Sequence, residues 1–201
     1  MNATTIAVIA AGAVILGLSL LGARHPTIHP AEQRAFRAVN GLPDWLYWPL
    51  WLPMQLGNLV VGTLGGLVLA LVWGDRLLAL GVVAAAALKL LAERVIRGGM
   101  APYLAVRQRP GTSEPGAHLR GDDVPSSGMS FPSGHIVLVA AITAVIADDL
   151  AVTWLGIPAL LTLAVMVGRV FVGAHNPLDV TAGLGAGLLA GGLIGLVLNL
   201  L

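Results

Sequence analysis

Apolar residues along the chain gather into long blocks separated by polar stretches. A bilayer core about 30 Å thick takes roughly 20 apolar residues in a helix. By that measure residues 3–21, 51–73, 77–96, 136–150, 152–171 and 178–200 are expected to cross a membrane. The fourth block is short, and its helix is expected to begin inside the Pro-Ser-Gly-His turn before it. Between the first two blocks lies RHPTIHPAEQRAFRAVNGLPDWLYWPL, where Phe36 and Val39 predict a short amphipathic helix. Trp45, Tyr47 and Trp48 suit an interfacial belt, so residues 31–50 read as a segment lying in the membrane surface. The other long connection, residues 98–131, is rich in Gly, Pro, Ser and charge. Connections of that length are usually functional or disordered. The last block carries Gly183, Gly185, Gly187, Gly191, Gly192 and Gly195, spacing that suits close helix packing better than a ligand.

Composition agrees with this pattern. Of 201 residues 57% are hydrophobic and 10% charged, and mean hydropathy is +0.87. Soluble domains carry about 25% charged residues. The expected fold class is therefore all-α, a polytopic membrane protein with about six transmembrane helices in one bundle and a single domain over residues 1–201. Residues 1–5 lack charged side chains and the apolar run continues through Leu21, so the first block reads as a retained span rather than a cleaved signal. The chain has no cysteine, which excludes disulfides, thiolate catalysis and cysteine-type zinc sites. Lys89 is the one lysine among 11 basic residues, and Ala, Leu, Gly and Val dominate, which points to a GC-rich bacterial genome.

Six spans would gather the connections after the first, third and fifth on one membrane face, and nearly every ionisable residue falls there. The long loop contributes Arg107 and Arg109, the turn at residues 132–135 contributes His135, and GRVFVGAHNPLDV contributes Arg169, His175 and Asp179. Ionisable groups converging at helix ends near membrane depth mark a functional site. Ser133 and Gly134 stand where a helix begins, so their amide N–H groups and the helix dipole are expected to face an anion. Arginine forks match phosphate oxygens. In HNPLD, Asn176 reads as a helix cap with Pro177 in the first turn, which lets the imidazole of His175 meet the carboxylate of Asp179. A carboxylate on one ring nitrogen leaves the other to attack as a nucleophile, and His135 can protonate a departing oxygen.

These residues resemble the type 2 phosphatidic acid phosphatase superfamily, whose motifs are K-x6-R-P, P-S-G-H and S-R-x5-H-x3-D. Here Arg109-Pro110, residues 132–135 and Gly168-Arg169-x5-His175-x3-Asp179 match, over a core of residues 89–185. The resemblance implies metal-independent hydrolysis of a phosphate monoester or diphosphate on a membrane lipid, without a cofactor. His175 would form a phosphohistidine, Asp179 would orient it, and His135 would be the general acid. Arg109, Arg169, Ser133 and Gly134 would bind the phosphoryl oxygens. Two positions depart from the pattern: Pro102 stands where the motif lysine belongs, and Gly168 replaces the serine. Arg107 is the first choice for the missing cation, with Arg97 and Lys89 as alternatives.

The expected partners are a lipid phosphate, a polyprenyl phosphate or phosphosugar or a phospholipid phosphate, and the bilayer itself; no nucleic acid is expected. A catalytically degenerate protein that binds or transports a lipid phosphate is the alternative. A soluble vanadium haloperoxidase fits six spans poorly. A histidine-carboxylate metal site is disfavoured because the facing arginines would repel a cation. Arg24, Arg34, Arg37 and Arg120 on the site-bearing face outweigh Arg76 opposite, where Asp75, Asp148 and Asp149 also lie. The expectation is a bacterial inner-membrane protein with a cytoplasmic active site.

Overall fold

The computed structural model describes residues 3–25, 27–95, 107–147 and 149–201. Among them the chain forms helices α1 (Ala3–Gly22), α2 (Pro30–Asn40), α3 (Tyr47–Met54), α4 (Leu59–Trp73), α5 (Arg76–Val95), α6 (Pro110–Ser113), α7 (Gly134–Ile146), α8 (Gly156–Phe171) and α9 (Pro177–Leu198). A lone antiparallel bridge joins Gln108 to Met129. The all-α membrane architecture read from the sequence is the one observed.

Local chemistry sets the boundaries. At the start of α2, His29 Nδ1 accepts from the Ala31 N–H at 3.1 Å and Pro30 takes the first position. Asn58 Oδ1 accepts from Val60 and Val61 N–H to start α4, and Gly74, at φ 68°, ends it. Asp75 Oδ1 accepts from the Leu78 N–H at 2.9 Å at the start of α5.

Helix α9 is the spine, flanked by α1 and α7. A Cβ on Gly185 would lie 2.4 Å from Leu16 N, and one on Gly191 would lie 2.3 Å from Ala141 O. Only glycine admits backbones this close, which is the packing expected of the small residues. Every residue of α7 from position 136 to 146 except Thr143 is buried, so this helix runs inside the bundle. Its 13 residues span only about 20 Å.

By length and apolarity, three helices among the described residues suffice to cross a membrane: Ala3–Gly22, Val152–Phe171 and Pro177–Leu198. A fourth span requires joining Asp44–Gly57 to Leu59–Trp73 across a 73° bend. The expectation of one straight helix over residues 51–73 is thus corrected: the chain turns at Gln55–Gly57, and the Asn58 side chain starts a new helix. Helix α5 is 20 residues long but carries Lys89, Glu93 and Arg94 toward its end.

The surface segment divides into α2 and α3, with Trp45 and Trp48 exposed. Phe36 of α2 is buried against Ile136, Val139, Val165, Val170 and Val180, so this helix is keyed into the bundle. Asn40 at its end donates to the carbonyls of His118 and Phe171, both at 2.9 Å, and accepts from the His118 N–H. Arg120 donates to Asp44 and to the carbonyls of Asn40, Leu42 and Phe171 while stacking over the Phe171 ring at 4.2 Å. Its charge staples the loop to α2 and α8, which removes it from the topology comparison.

Candidate active site

Five segments meet at one end of the bundle. The Gln108–Met129 bridge, with Arg109 N–H donating to Gly128 O at 3.1 Å and Ser130 N–H to Arg107 O at 2.9 Å, brings both ends of the long loop beside the start of α7. The last turns of α5, the end of α8 and the α8–α9 turn complete a cavity of about 310 Å³. Lys89, Arg109, Ser130, His135, Arg169 and His175 line it.

The turn after α8 explains how His175 is held. Gly173 adopts φ 77°, and Ala174 and His175 N–H both donate to Arg169 O, at 3.0 and 3.3 Å. A Cβ at Gly173 would lie 2.7 Å from His118 O, so both the conformation and the space call for glycine. Asp179 reaches back to accept from the Asn176 N–H at 2.8 Å, closing the expected helix cap with Pro177 in the first turn.

Asp179 is fully buried, yet it does not touch His175 directly. His175 Nδ1 lies 3.9 Å from Asp179 Oδ2, beyond hydrogen-bonding range. The Ser130 hydroxyl fills the gap, donating to Asp179 and standing 3.3 Å from Nδ1. With that hydrogen committed to the carboxylate, Nδ1 is the N–H side of the imidazole and Nε2 carries the free lone pair. Burial, reinforced by the facing Arg169 and Arg109, holds the His175 pKa well below 6.5 and keeps the ring neutral.

The cations sort differently from expectation. Arg169 is 6% exposed and lines the cavity, and its Nε has no hydrogen-bond partner. Arg109 lines it too, anchored through Nη1 to Ala174 O at 2.9 Å. Arg107, expected to bind phosphate, is instead buried between Glu32 at 2.5 Å and Asp179 at 3.2 Å and does not line the cavity. Two carboxylates claim its guanidinium. Lys89, the more distant alternative, does line the cavity, its Nζ 3.1 Å from Glu93. Pro102 and Arg97 lie outside the described residues.

Ser133 also needs correction. Its N–H donates to Asp179 O at 3.0 Å, and the fully buried residue is not part of the cavity wall. Gly134, the first residue of α7, does face the cavity. His135 follows it on the wall, backed by the turn before α4, where a Cβ on Gly57 would lie 2.8 Å from His135 Cβ. At Gly168, which replaces the family serine, a Cβ would lie 2.6 Å from Met54 Cγ, so α3 occupies that space.

A family model described as the PAP2 superfamily matches residues 76–199. The structure is similar to that of Aquifex aeolicus LpxE, with a TM-score of 0.63 and 20% identity, over 84% of this chain and 94% of that one. It is also similar to the first transmembrane PAP2 type phosphatidylglycerolphosphate phosphatase from Bacillus subtilis, with a TM-score of 0.53 and 19% identity, over 96% of this chain and 94% of that one. At these identities the likeness speaks for the fold. A search of curated protein sequences returns no match.

Proposed function

Because the chain belongs to the PAP2 superfamily, which supports a lipid phosphatase activity in general, we propose that it hydrolyses a phosphate monoester or diphosphate on a membrane lipid through a phosphohistidine at His175. The observation that carries this reading is the orientation of His175. Ser130 and Asp179 hold its Nδ1 edge, while Nε2 is left for the cavity where Arg169 Nε has no protein partner.

In the proposed reaction the phosphate dianion brings a proton to His135, which is neutral in the empty site. Nε2 of His175 then attacks phosphorus, the bond from phosphorus to the lipid oxygen breaks, and the departing electron pair takes that proton from His135. Water then attacks the phosphohistidine, gives its proton back to His135, and the phosphorus–nitrogen bond breaks to release phosphate. Arg109, Arg169, Lys89 and the Gly134 end of α7 hold the phosphoryl oxygens as charge develops. Arg107 and Ser133 act behind them, on Asp179.

A second feature favours a lipid. An apolar groove of about 410 Å³ runs between α4, α7 and α8, lined among others by Gly65, Leu69, Val139, Ile142, Ile146 and Leu161. Val139, Ile142 and Ile146 follow His135 at helical spacing along one face of α7, so a hydrocarbon chain can lie in the groove with its oxygen at His135. A polyprenyl phosphate or phosphosugar is the first candidate and a phospholipid phosphate the second. The whole of residues 1–201 would act as one domain in a bacterial inner membrane, the site facing the cytoplasm on the strength of Arg24 and Arg34, since Arg37 is paired with the buried Glu114 of the loop. A terminal tag accessible only from the cytoplasm would reverse that orientation.

The test is phosphate release from a panel of lipid phosphates and diphosphates by detergent-purified protein without added metal, with His175→Ala in parallel. Release by the wild type and none by the variant is expected. Equal background release from both would leave a lipid-phosphate binding or transport protein.

A further inference from the structure

Glu93 takes no part in the proposed chemistry, yet it stands in the same cavity. It lies one turn after Lys89 on α5, its Oε2 3.1 Å from the ammonium. Its other oxygen rests on the first residue of α7: a Cβ added to Gly134 would lie 2.1 Å from Glu93 Oε1 and 3.3 Å from Lys89 Cε. The carboxylate therefore sits where the positive end of α7 and the lysine charge converge, which are two of the attractions that would hold a phosphoryl oxygen. Arg109, Arg169, His135 and His175 face the same space from the other walls, and Asp123 is the second carboxylate on its rim.

We propose that Glu93 is an internal competitor for the phosphate subsite. It holds Lys89 and the Gly134 end of α7 while the site is empty, yields them when a phosphoryl group enters, and reclaims them to expel inorganic phosphate after hydrolysis. This rests on the phosphatase reading above.

The pair is suited to exchange. Its side chains are 12% and 29% exposed, and partly solvated ion pairs are weak enough for a dianion to displace. The carboxylate is tethered on the same helix as the lysine, so it returns at an effective concentration that free phosphate must match. A product dianion left beside a returning carboxylate is repelled, which hastens its departure.

The experiment is equilibrium binding of inorganic phosphate to detergent-purified Glu93→Gln, together with product inhibition of the wild type and the variant. The substitution keeps the shape and removes the charge, so phosphate is expected to bind about 5-fold more tightly. Turnover should slow as release becomes limiting, and KM should fall with it. Glu93→Asp, which keeps the charge one methylene shorter, should lie between the two. In a Lys89→Met background the gain should largely disappear, because both substitutions act on one interaction. A merely structural Glu93 would loosen phosphate binding when replaced, and an active enzyme whose phosphate affinity is unchanged or weaker in Glu93→Gln overturns the proposal. A wild type that neither hydrolyses lipid phosphates nor binds phosphate fails at the phosphatase reading instead.

Discussion

His175 and Asp179 are coupled through a third side chain: the Ser130 hydroxyl donates to the carboxylate and lies 3.3 Å from the imidazole, across a gap of 3.9 Å between the two. The carboxylate thus acts on the ring through a chain of two hydrogen bonds that fixes the tautomer. Ser130→Ala removes both links while leaving the cavity cations in place. We expect kcat to fall roughly 10- to 100-fold with KM little changed. Single-turnover formation of the phosphoenzyme should slow by the same factor. Unchanged phosphoenzyme formation would show that His175 needs no such support.

Arg107 is a structural cation in this site. It is 1% exposed and bridges Glu32, whose carboxylate also accepts from the Leu178 N–H at 2.9 Å, to the buried Asp179. Arg107→Met strands two carboxylates, and losing one side of a buried pair costs about 3 to 5 kcal/mol. A marked drop in thermal midpoint in detergent is expected, partly restored by adding Glu32→Gln. Arg169→Gln should do the reverse, raising KM while the midpoint moves little. Equal melting of both variants would return Arg107 to the phosphate side.

How much of this was legible follows from the range of each interaction. The cap that places Asp179, the glycine-rich face of α9 and the meeting of Arg109, His135, Arg169 and His175 depend on short motifs and helix ends, and were readable. The Arg107 and Lys89 assignments were not. Both carry a positive charge, and only the tertiary neighbours decide which is neutralised by buried carboxylates and which reaches the cavity. The role of Ser130 was hidden likewise, since its partners lie 45 and 49 residues away. The break before α4 did leave a signal: Asn58 just before an apolar run is a helix start, outweighed in a hydropathy reading by the residues around it.

The same surroundings set a pH dependence. A nucleophilic imidazole, the role proposed for His175, must be neutral, and burial with Arg169 and Arg109 nearby holds the His175 pKa well below 6.5. Activity due to this group is therefore fully present above that lowered pKa and is lost as pH falls through it. The acid limb of single-turnover phosphoenzyme formation assigned to His175 should lie below pH 6.5. Arg109→Gln removes one repulsive charge and should move that limb upward. A His175 limb above 6.5 in the wild type contradicts the neutral buried ring.

The groove beneath His135 makes a prediction about the hydrocarbon part of the substrate. Gly65 lines it, and a Cβ there meets nothing within 4 Å, so a side chain can be added without moving the backbone. Gly65→Leu projects into the space where a chain would lie, leaving the phosphate-binding residues untouched. A chain displaced from the groove passes into lipid or detergent that is as apolar as the groove, so only packing contacts are lost and KM for a long-chain lipid phosphate should rise about 2- to 5-fold. A short-chain, water-soluble phosphate ester never enters the groove and should be hydrolysed as by the wild type. Because the variant adds apolar surface at a membrane-facing site, its thermal midpoint should hold. Equal KM for the long-chain substrate in variant and wild type would mean that the chain leaves the site by another route, with the bilayer rather than α4 as its wall.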